Sequence, residues 1–354
     1  MDGRIGQTQS RIAGGCMSTT SAALRLATRP NGTRDGELVI VSASARRCMP
    51  VPTIARTLQA ALDDWSDVAP QLEALCRRLD AGGWSSCESF DSAAALAPLP
   101  RAYQWADASV YRNHARLMYQ WRKEPIPPGY ETEPLVYQGG SDVMLAGRAP
   151  ITAVSADHGI DFEAEIAVIT TDVPMGATVE QAQNCIALVV LVNDVSLRGL
   201  IPGELARGFG FYQSKPASSF APIAISPAAL GDAWRNAMLH LPVQIAFNGE
   251  LFGAPNAGEE TVFNFAQIIA HLSKTRALCA GTIVGAGTIS NADPSTGSAC
   301  ITEARVRQAL SGVTDDQQQR YLRDGDRIRI EILADDGSSV FGAIDQIVSV
   351  RGKN

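Results

Sequence analysis

Three acidic side chains stand beside apolar segments, in a pattern that predicts a metal site. Glu163 and Glu165 belong to Asp161-Phe-Glu-Ala-Glu165, which alternates like a strand, so both carboxylates project from one face. Asp194 ends an apolar run over 185–192. Carboxylates crowded at the edge of a core repel one another unless a divalent cation offsets their charge. Ligation by Asp and Glu oxygens favours Mg²⁺, Mn²⁺ or Ca²⁺ over Zn²⁺, and we expect Mg²⁺.

A fourth acid and a base lie upstream of these residues. Asp107 precedes a predicted helix over 108–121 and is either its cap, a fourth metal ligand, or both. His114 would lie two turns along, on nearly the same face. A carboxylate at a metal with an imidazole nearby would place a general base beside a bound substrate. The alternative for His114 is an ordinary surface or core histidine.

The segments that must position these residues are mainly strands. Short strands are predicted within 22–50, followed by helices over 53–65 and 68–79. Glycine and proline pairs over 82–100 then mark a boundary, so we expect an N-terminal domain over 1–100 and a catalytic domain over 101–354. Residues 1–16 are expected to be a disordered leader, with Met17 as an alternative start.

In the second domain, the predicted strands outnumber the helices. The strands are predicted over 162–170, 187–194, 241–247, 298–306, 326–333 and 340–349. The helices are predicted over 178–184 and 264–275, the second capped by Asn264. Asp335-Asp336-Gly337 is a hairpin turn between the last two strands. Without regular alternation of strands and helices, the pattern favours a β-rich α+β fold over a doubly wound sheet.

The composition excludes several classes of partner. The 354 residues have 19% charged and 45% hydrophobic side chains, as in an ordinary globular protein. A net charge of −7 disfavours binding to nucleic acid or to an anionic membrane. No apolar run approaches the roughly 20 residues that span a bilayer. Seven cysteines without a Cys-x-x-Cys pair indicate reduced thiols and a cytoplasmic protein.

Several further motifs occur in order along the chain. They are Tyr137-Gln-Gly-Gly-Ser-Asp142, Gly210-Phe-Tyr-Gln-Ser-Lys215, Gly287-Thr-Ile-Ser290, Gly297-Ser-Ala-Cys300 with Glu303, and Phe341-Gly-Ala-Ile-Asp345. Together with Asp-x-Glu-x-Glu and the later Asn-Asp, they make the chain resemble the fumarylacetoacetate hydrolase superfamily. The resemblance runs from about Tyr103 to the C-terminus.

The resemblance implies a fold and a set of roles. It implies a β-rich catalytic domain, a mixed β-sandwich or roll, in a protein that is usually a homodimer. The implied metal ligands are Asp107, Glu163, Glu165 and Asp194. The implied catalytic residues are His114, Glu303 and Lys215, with Glu303 orienting the imidazole. The implied substrate-binding residues are Tyr137, Arg122, Gln213 and Thr288. For Glu303, the alternative is a strand-surface carboxylate paired with Arg305 or Arg307.

The implied activity is metal-dependent hydrolysis of a carbon–carbon bond in a β-diketo acid of the fumarylacetoacetate or acylpyruvate type, in aromatic catabolism. Family members also decarboxylate, hydrate or tautomerise 2-keto acids on the same site, and a catalytically silent ligand-binding protein is a further alternative. Ser109, Val195 and Ile201 replace a Tyr, a Trp and a Gln of the animal enzyme. These departures affect which substrate the resemblance implies more than which reaction it implies.

Overall fold

The computed structural model of the protein describes residues 23–82 and 87–351, so the expected leader and Met17 lie outside the described residues. The helices are α1 (Leu58–Asp63), α2 (Trp65–Asp80), α3 (Arg112–Arg122), α4 (Val179–Asn184), α5 (Ile201–Leu205), α6 (Phe265–Leu272) and α7 (Ile301–Leu310). None of the helices in these ranges combines the length and the apolar character needed to cross a membrane.

The strands fall into one large sheet, one smaller sheet and two short pairs. The strands of the first half are β1 (Arg25–Arg29), β2 (Glu37–Val41), β3 (Arg47–Pro50), β4 (Glu88–Ser89), β5 (Trp105–Ala108), β6 (Val136–Gln138), β7 (Leu145–Ala146), β8 (Ile151–Ala153), β9 (Ile160–Asp161) and β10 (Ala164–Thr170). The remaining strands are β11 (Ile186–Asn193), β12 (Ser196–Leu197), β13 (Ser219–Phe220), β14 (Ile223–Ile225), β15 (Trp234–Arg235), β16 (Met238–Leu239), β17 (Gln244–Phe247), β18 (Glu250–Gly253), β19 (Ile283–Gly285), β20 (Arg327–Glu331) and β21 (Ile344–Val350).

The large sheet has 12 strands, with the main order β4-β3-β2-β1-β14-β11-β10-β19-β5-β6. The smaller sheet has five strands in the order β18-β17-β20-β21-β8. Most neighbours are antiparallel, but three pairs are parallel: β5 with β19, β7 with β13, and β8 with β21. The architecture is therefore a mixed, strand-rich α+β fold, which confirms the predicted class.

Apolar layers cover both faces of the large sheet at its centre. On one face, Ile169 and Val190 pack in a cluster with Leu62 and Leu72 of α1 and α2. On the other face, side chains of β10 and β11 pack with α6 and the five-stranded sheet. Every residue of β10 and β11 is consequently buried, whichever way its side chain points. A carboxylate on these strands therefore lies in a dry environment.

The N-terminal segment shares this sheet with the rest of the chain. Strand β1 pairs with β14 through Arg25 opposite Ile225, and β2, β3 and β4 extend the sheet outward from it. Helices α1 and α2 then close one face of the shared core. The residues up to position 100 thus supply an edge and a cover to the sheet that bears the site.

Several predicted elements are confirmed, among them the strands at β10, β11, β17, β20 and β21 and the helices α4 and α6. Asn264 caps α6, because its side chain accepts a hydrogen bond from the N–H of Gln267. The first N-terminal helix is shorter than predicted. It begins at Leu58, because the hydroxyl of Thr57 accepts the capping hydrogen bond from the N–H of Ala60.

The predicted strand over 298–306 is wrong, because the structure places helix α7 there. Two donors in the first turn bind the carboxylate of Asp161, the N–H of Ile301 at 2.7 Å and that of Thr302 at 3.0 Å. The Sγ of Cys300 accepts a third hydrogen bond, from the N–H of Glu303. A remote carboxylate thus satisfies the free donors of the helix start, a contact that local alternation cannot show.

The predicted cap role of Asp107 is also wrong. Asp107 lies inside β5, and α3 begins five residues later, after Tyr111 at the N-cap position. Tyr111 is held by its own hydroxyl, which donates to the carbonyl of Ala257 at 2.6 Å. Asp107 and His114 therefore approach the site from a strand and from a helix, not along one helix face.

Replacing Asp161 should destabilise the fold strongly. Asp161→Ala removes the acceptor of two buried N–H groups and the partner of Arg198, whose Nε lies 2.8 Å from it. Breaking a buried ion pair in this way costs about 3–5 kcal/mol. Urea unfolding of the two proteins measures the difference.

A matched control is Asp293→Ala, since that exposed carboxylate accepts one N–H, from Ser295, at a short 3₁₀ turn. We expect a much smaller loss for it, because its carboxylate lies in water in the parent protein. Equal losses for the two variants would show that Asp161 contributes no more than an ordinary surface cap.

Candidate metal centre and acid–base pair

Strands β5, β10 and β11 of the large sheet bring three of the predicted carboxylates together. Glu165 lies near the start of β10, Asp194 follows β11, and Asp107 lies in β5, two places from β10 across β19. Asp107 comes this close because its neighbour on β19 is Gly285, where a Cβ would stand 2.2 Å from Oδ1 of Asp107. The N–H of Gly287 donates to the same oxygen at 3.0 Å. The position of Asp107 therefore depends on a glycine at the adjoining strand.

The three carboxylates form a compact buried cluster. One oxygen from each of Asp107, Glu165 and Asp194 lies within 4.8 Å of the others, and all three side chains are buried. Both oxygens of Glu165 are inaccessible to solvent and have no hydrogen-bond donor in the described part of the chain. Orphaned carboxylate oxygens facing two further acids are the donor set that Mg²⁺ or Mn²⁺ binds, so the residues fit a divalent cation.

The charges in this cluster are unfavourable in the protein alone. Burial, then the negative charge of Asp194, raises the pKa of Asp107 well above its usual value. Burial, then the charge of Asp107, does the same to the pKa of Glu165. Both effects arise because a carboxylate far from water and beside another carboxylate is costly to ionise. A bound cation would remove that cost.

Glu163, the fourth predicted ligand, is held beside this cluster and not within it. Its Oε1 lies 2.7 Å from Nζ of Lys215 and 3.1 Å from Nη2 of Arg198, and its other oxygen accepts from the hydroxyl of Thr288. Burial alone would raise the pKa of Glu163, but the charges of Arg198 and Lys215 outweigh it and lower that pKa. Glu163 is therefore a stably ionised partner of two cations.

Lys215 links Glu163 to the cluster. Its Nζ also lies 2.5 Å from Oδ2 of Asp194, and it is 5.1 Å from the centre of the Tyr137 ring. Burial lowers the pKa of Lys215, but the charges of Asp194 and Glu163 outweigh it, so its pKa rises and the ammonium stays charged. The hydroxyl of Tyr137 donates to the same Asp194 oxygen at 2.6 Å. The predicted catalytic lysine is thus a buried cation fixed by two carboxylates.

Sequence reasoning missed three residues that hold these acids. The hydroxyl of Ser196 donates to Glu163 at 2.5 Å, and the hydroxyl of Ser218 donates to Asp194 at 2.6 Å. Arg198 bridges Glu163 and Asp161. Ser196 and Arg198 follow Asp194 at two-residue steps, which in an extended segment places all three on one side. This two-residue spacing is the sequence pattern from which Ser196 and Arg198 could have been predicted as neighbours of the acids.

The predicted acid–base pair lies at the facing helices α3 and α7. Nδ1 of His114 is 2.9 Å from Oε2 of Glu303, and Leu117 and Met118 pack against Val306 to hold the two helices together. Glu303 is fully buried. Burial raises the pKa of Glu303, but the hydrogen bond and charge of His114 outweigh it, so this pKa is lowered. Glu303 is therefore an ionised carboxylate, suited to orient an imidazole.

Arg307 completes the surroundings of Glu303. Its Nη2 lies 3.1 Å from Oε1 of Glu303 and donates to the carbonyl of Asn291 at 2.7 Å. The hydroxyl of Ser298 also donates to Oε1 at 3.3 Å, so Oε1 of Glu303 binds Arg307 and Ser298 while Oε2 binds His114. The alternative pairing that the sequence left open, Glu303 with Arg307, thus exists together with the histidine contact and does not replace it.

A cavity of about 390 Å³ joins the cluster to the pair. Its walls include seven of the predicted site residues: Asp107, His114, Arg122, Tyr137, Glu163, Lys215 and Thr288. Gln213 is not part of these walls; its side chain is exposed and its N–H donates to Glu204 at 2.7 Å. His158 ends a 3₁₀ turn away from the cavity lining.

Glu204 was also missed, and it holds the loop that carries Lys215. Its carboxylate accepts hydrogen bonds from the N–H groups of Tyr212, Gln213 and Ser214 and from the Ser214 hydroxyl. Burial would raise the pKa of Glu204, but these donors outweigh it and lower it. The loop before Lys215 is therefore tied to helix α5, which carries Glu204.

Divalent cations should raise the melting temperature of the protein and release protons. Because the raised pKa values of Asp107 and Glu165 keep protons bound that the unfolded chain releases, the stability of the metal-free protein falls as pH rises above about 4. A cation displaces those protons at neutral pH and stabilises the native state by mass action. Titration calorimetry with Mn²⁺ in buffers of different ionisation enthalpy measures the released protons.

The matched variant is Glu165→Gln, which keeps the shape and removes one charge. We expect it to lose the Mn²⁺-dependent rise in melting temperature while the metal-free protein becomes at least as stable as the parent. Glu180→Gln, in helix α4, is the control and should respond to Mn²⁺ like the parent. An unchanged Mn²⁺ response in Glu165→Gln would show that the cluster is not the cation site.

Comparisons with known proteins identify the family. A 28% identical relative is the 2,4-didehydro-3-deoxy-L-rhamnonate hydrolase of Sphingomonas sp. (strain SKA58), matched over 46% of this chain and 54% of the relative. The chain thus spans about half the length of that curated relative.

Two solved structures share the fold over nearly the whole chain. They are the fumarylacetoacetate hydrolase of the psychrophile Exiguobacterium antarcticum (18% identity, TM-score 0.63, 93% of this chain and 100% of that one) and the maleylpyruvate hydrolase of Sphingobium sp. SYK-6 in complex with manganese(II) and pyruvate (17% identity, TM-score 0.61, 93% and 100%).

Two family models account for most of the sequence. The fumarylacetoacetase N-terminal domain 2 matches residues 24–101, and the fumarylacetoacetate (FAA) hydrolase C-terminal domain matches residues 104–351. The second match includes every carboxylate of the cluster, His114 and Glu303, and the chain belongs to the fumarylacetoacetate hydrolase family.

Proposed function

We propose that this protein is a metal-dependent hydrolase that cleaves a carbon–carbon bond in a β-diketo acid of the acylpyruvate or fumarylacetoacetate type. The observation that carries the proposal is the contact between Nδ1 of His114 and Glu303, in a cavity whose walls also include Asp107 and Lys215. A base with an orienting carboxylate serves a reaction that consumes water. The family match and the named hydrolases among its structural relatives support this class of reaction.

In this proposal His114 is the general base. Glu303 accepts a hydrogen bond from the N–H at Nδ1, which leaves Nε2 of the imidazole free to take a proton from water. The water oxygen attacks the carbonyl carbon of the acyl group, and the bond from that carbon to the neighbouring CH₂ breaks. Its electron pair stays on the pyruvate part as an enolate, which regains a proton from the imidazolium. The products are a carboxylic acid and pyruvate.

The other charged groups of the cavity would stabilise the negative charge that develops on the substrate. A divalent cation at Asp107, Glu165 and Asp194, with Glu163 beside it, would polarise the keto oxygens and stabilise the enolate. The ammonium of Lys215, fixed by Glu163 and Asp194, would add a second positive charge there.

The roles of the remaining predicted residues follow from their places in the cavity. The hydroxyls of Thr288 and Tyr137 donate to Glu163 and Asp194, and both residues line the cavity beside Lys215. We assign them to the carboxylate end of the substrate. Arg122 lines the far end of the same cavity. Gln213 lies outside the cavity walls, in the loop before Lys215 that the carboxylate of Glu204 holds.

Replacing His114 should abolish hydrolysis and spare metal binding. We expect His114→Ala to lose roughly 10²–10⁴ in kcat on the best acylpyruvate, because the general base is missing. Glu303→Gln should lose less, because only the group that orients the imidazole has changed. Release of pyruvate, followed with Mn²⁺ present, measures both rates, and the calorimetric Mn²⁺ affinity of His114→Ala should match the parent.

The control is His271→Ala, since His271 lies on α6 and outside the cavity walls. It should keep the parental rate. Near-parental hydrolysis by both His114→Ala and Glu303→Gln would contradict the water-activating pair. Loss of CO₂ or enol–keto exchange without cleavage would instead place the protein among the family's decarboxylases or tautomerases.

Removal of the metal should stop the reaction. Treatment with EDTA followed by desalting should leave no measurable turnover, because Lys215 is already neutralised by two carboxylates and cannot replace a doubly charged ion. Added Mg²⁺ or Mn²⁺ should restore the parental rate, whereas Glu165→Gln should remain inactive with either ion. Full turnover by the metal-free protein would contradict the proposed mechanism.

A further inference from the structure

The cavity extends well beyond the carboxylate cluster, along one face of helix α3. His114, Ala115, Met118, Tyr119 and Arg122 all line it, at positions that recur on one side of a helix. With about 1.5 Å of rise per residue, Arg122 lies about 12 Å along the axis from His114. This outer part is where the acyl group of a substrate would lie if its keto acid end occupied the cluster.

The walls of this outer part are mostly apolar. They are supplied by Met118, Leu135, Val136, Ile201, Leu205 and Phe211. The uncharged polar side chains of the cavity away from the cluster are Ser109, Tyr119 and Tyr130, and the hydroxyl of Tyr130 donates to the carbonyl of Tyr111. A hydroxyl-rich or charged acyl group would lose more water here than these few hydroxyls can replace, and that loss is costly.

Arg122 does not change this conclusion. It is the last residue of α3, its side chain is exposed, and its guanidinium lies 6.0 Å from the centre of the Tyr119 ring. An exposed cation gains little from an ion pair with a solvated carboxylate. A terminal carboxylate on the acyl group would therefore have to remain in water at the mouth of the cavity.

We infer that the substrate carries an uncharged, apolar acyl group, aliphatic or aromatic, and that Ile201 is a residue that determines this specificity. The inference rests on the proposed function for the position of the keto acid end. Ile201 is the first residue of α5, and it lines the cavity. A methyl group in such a wall discriminates between acyl groups that differ by one polar substituent.

A matched pair of substrates tests the inference. Fumarylpyruvate and crotonylpyruvate have the same length and the same trans double bond, but the first ends in a carboxylate and the second in a methyl group. We expect kcat/KM, measured with Mn²⁺, to be at least about tenfold higher for crotonylpyruvate. An equal or higher value for fumarylpyruvate would overturn the inference.

Substitutions at the first residues of two short helices test whether Ile201 determines the preference between the two substrates. Ile201→Gln should reduce the preference for crotonylpyruvate several-fold, to about a third or less, since the new amide is a hydrogen-bond donor in the apolar wall. Val179→Gln is the matched control, because Val179 is also the first residue of a short helix, α4, and lies outside the cavity walls. It should leave the preference unchanged. An unchanged preference in Ile201→Gln as well would show that Ile201 does not set it.

Binding measurements separate this inference from the proposed reaction. Calorimetric titration of His114→Ala with each of the two compounds, in the presence of Mn²⁺, reports the preference of the acyl pocket without turnover. If the parent protein cleaves neither compound but His114→Ala still binds crotonylpyruvate more tightly, the proposed hydrolysis fails and the apolar pocket stands. Tighter binding of fumarylpyruvate, or no binding of either compound, would overturn the pocket assignment.

Discussion

The structure depends on holding four carboxylates together where they are almost completely buried. Asp107, Glu163, Glu165 and Asp194 are all at most 5% exposed, on or beside strands that are apolar on both faces. A single carboxylate in such surroundings would take up a proton, and four would repel one another as well. The arrangement is stable because positively charged side chains lie beside some of these acids. The four acids differ in how much of their negative charge those side chains neutralise.

Glu163 is the acid whose charge the protein itself compensates. Lys215, Arg198 and two hydroxyls surround it, and its pKa is accordingly lowered. Asp107 and Glu165 receive no comparable cation, and their pKa values are raised. Asp194 lies between the two kinds, because Lys215 contacts it while it also belongs to the cluster. The side chains thus leave unbalanced negative charge at one point, where a divalent cation would complete the balance.

Local sequence patterns predicted the framework and most of the chemistry. Alternation predicted β10 and β11, and Asn264 marked the start of α6, because these signals depend only on neighbouring residues. The family motifs led to His114 and Glu303, which lie 189 positions apart in the sequence and 2.9 Å apart in the structure.

Apart from the start of α1, which a local cap decides, the errors share one physical origin: contact between residues that are remote in the chain. Helix α7 was predicted as a strand because its start is stabilised by Asp161, 140 positions earlier. The role of Asp107 was misplaced because Gly285, on another strand, decides how close it lies to the cluster. Arg198 was missed because its partners only become its neighbours once β9 and β12 pair. Sequence spacing shows which residues can share a face, but not which face another segment will cover.

Asp161 connects the two halves of the site more directly than any of the predicted residues. Its carboxylate accepts the first N–H groups of α7, the helix that carries Glu303, and it also binds Arg198. Arg198 in turn contacts Glu163 beside the cluster. The position of the acid–base pair and the charge at the cluster therefore depend on one buried side chain. Because a buried acid with two such partners cannot move without exposing unpaired charge, the distance between the base and the carboxylates is fixed by the fold before any substrate enters.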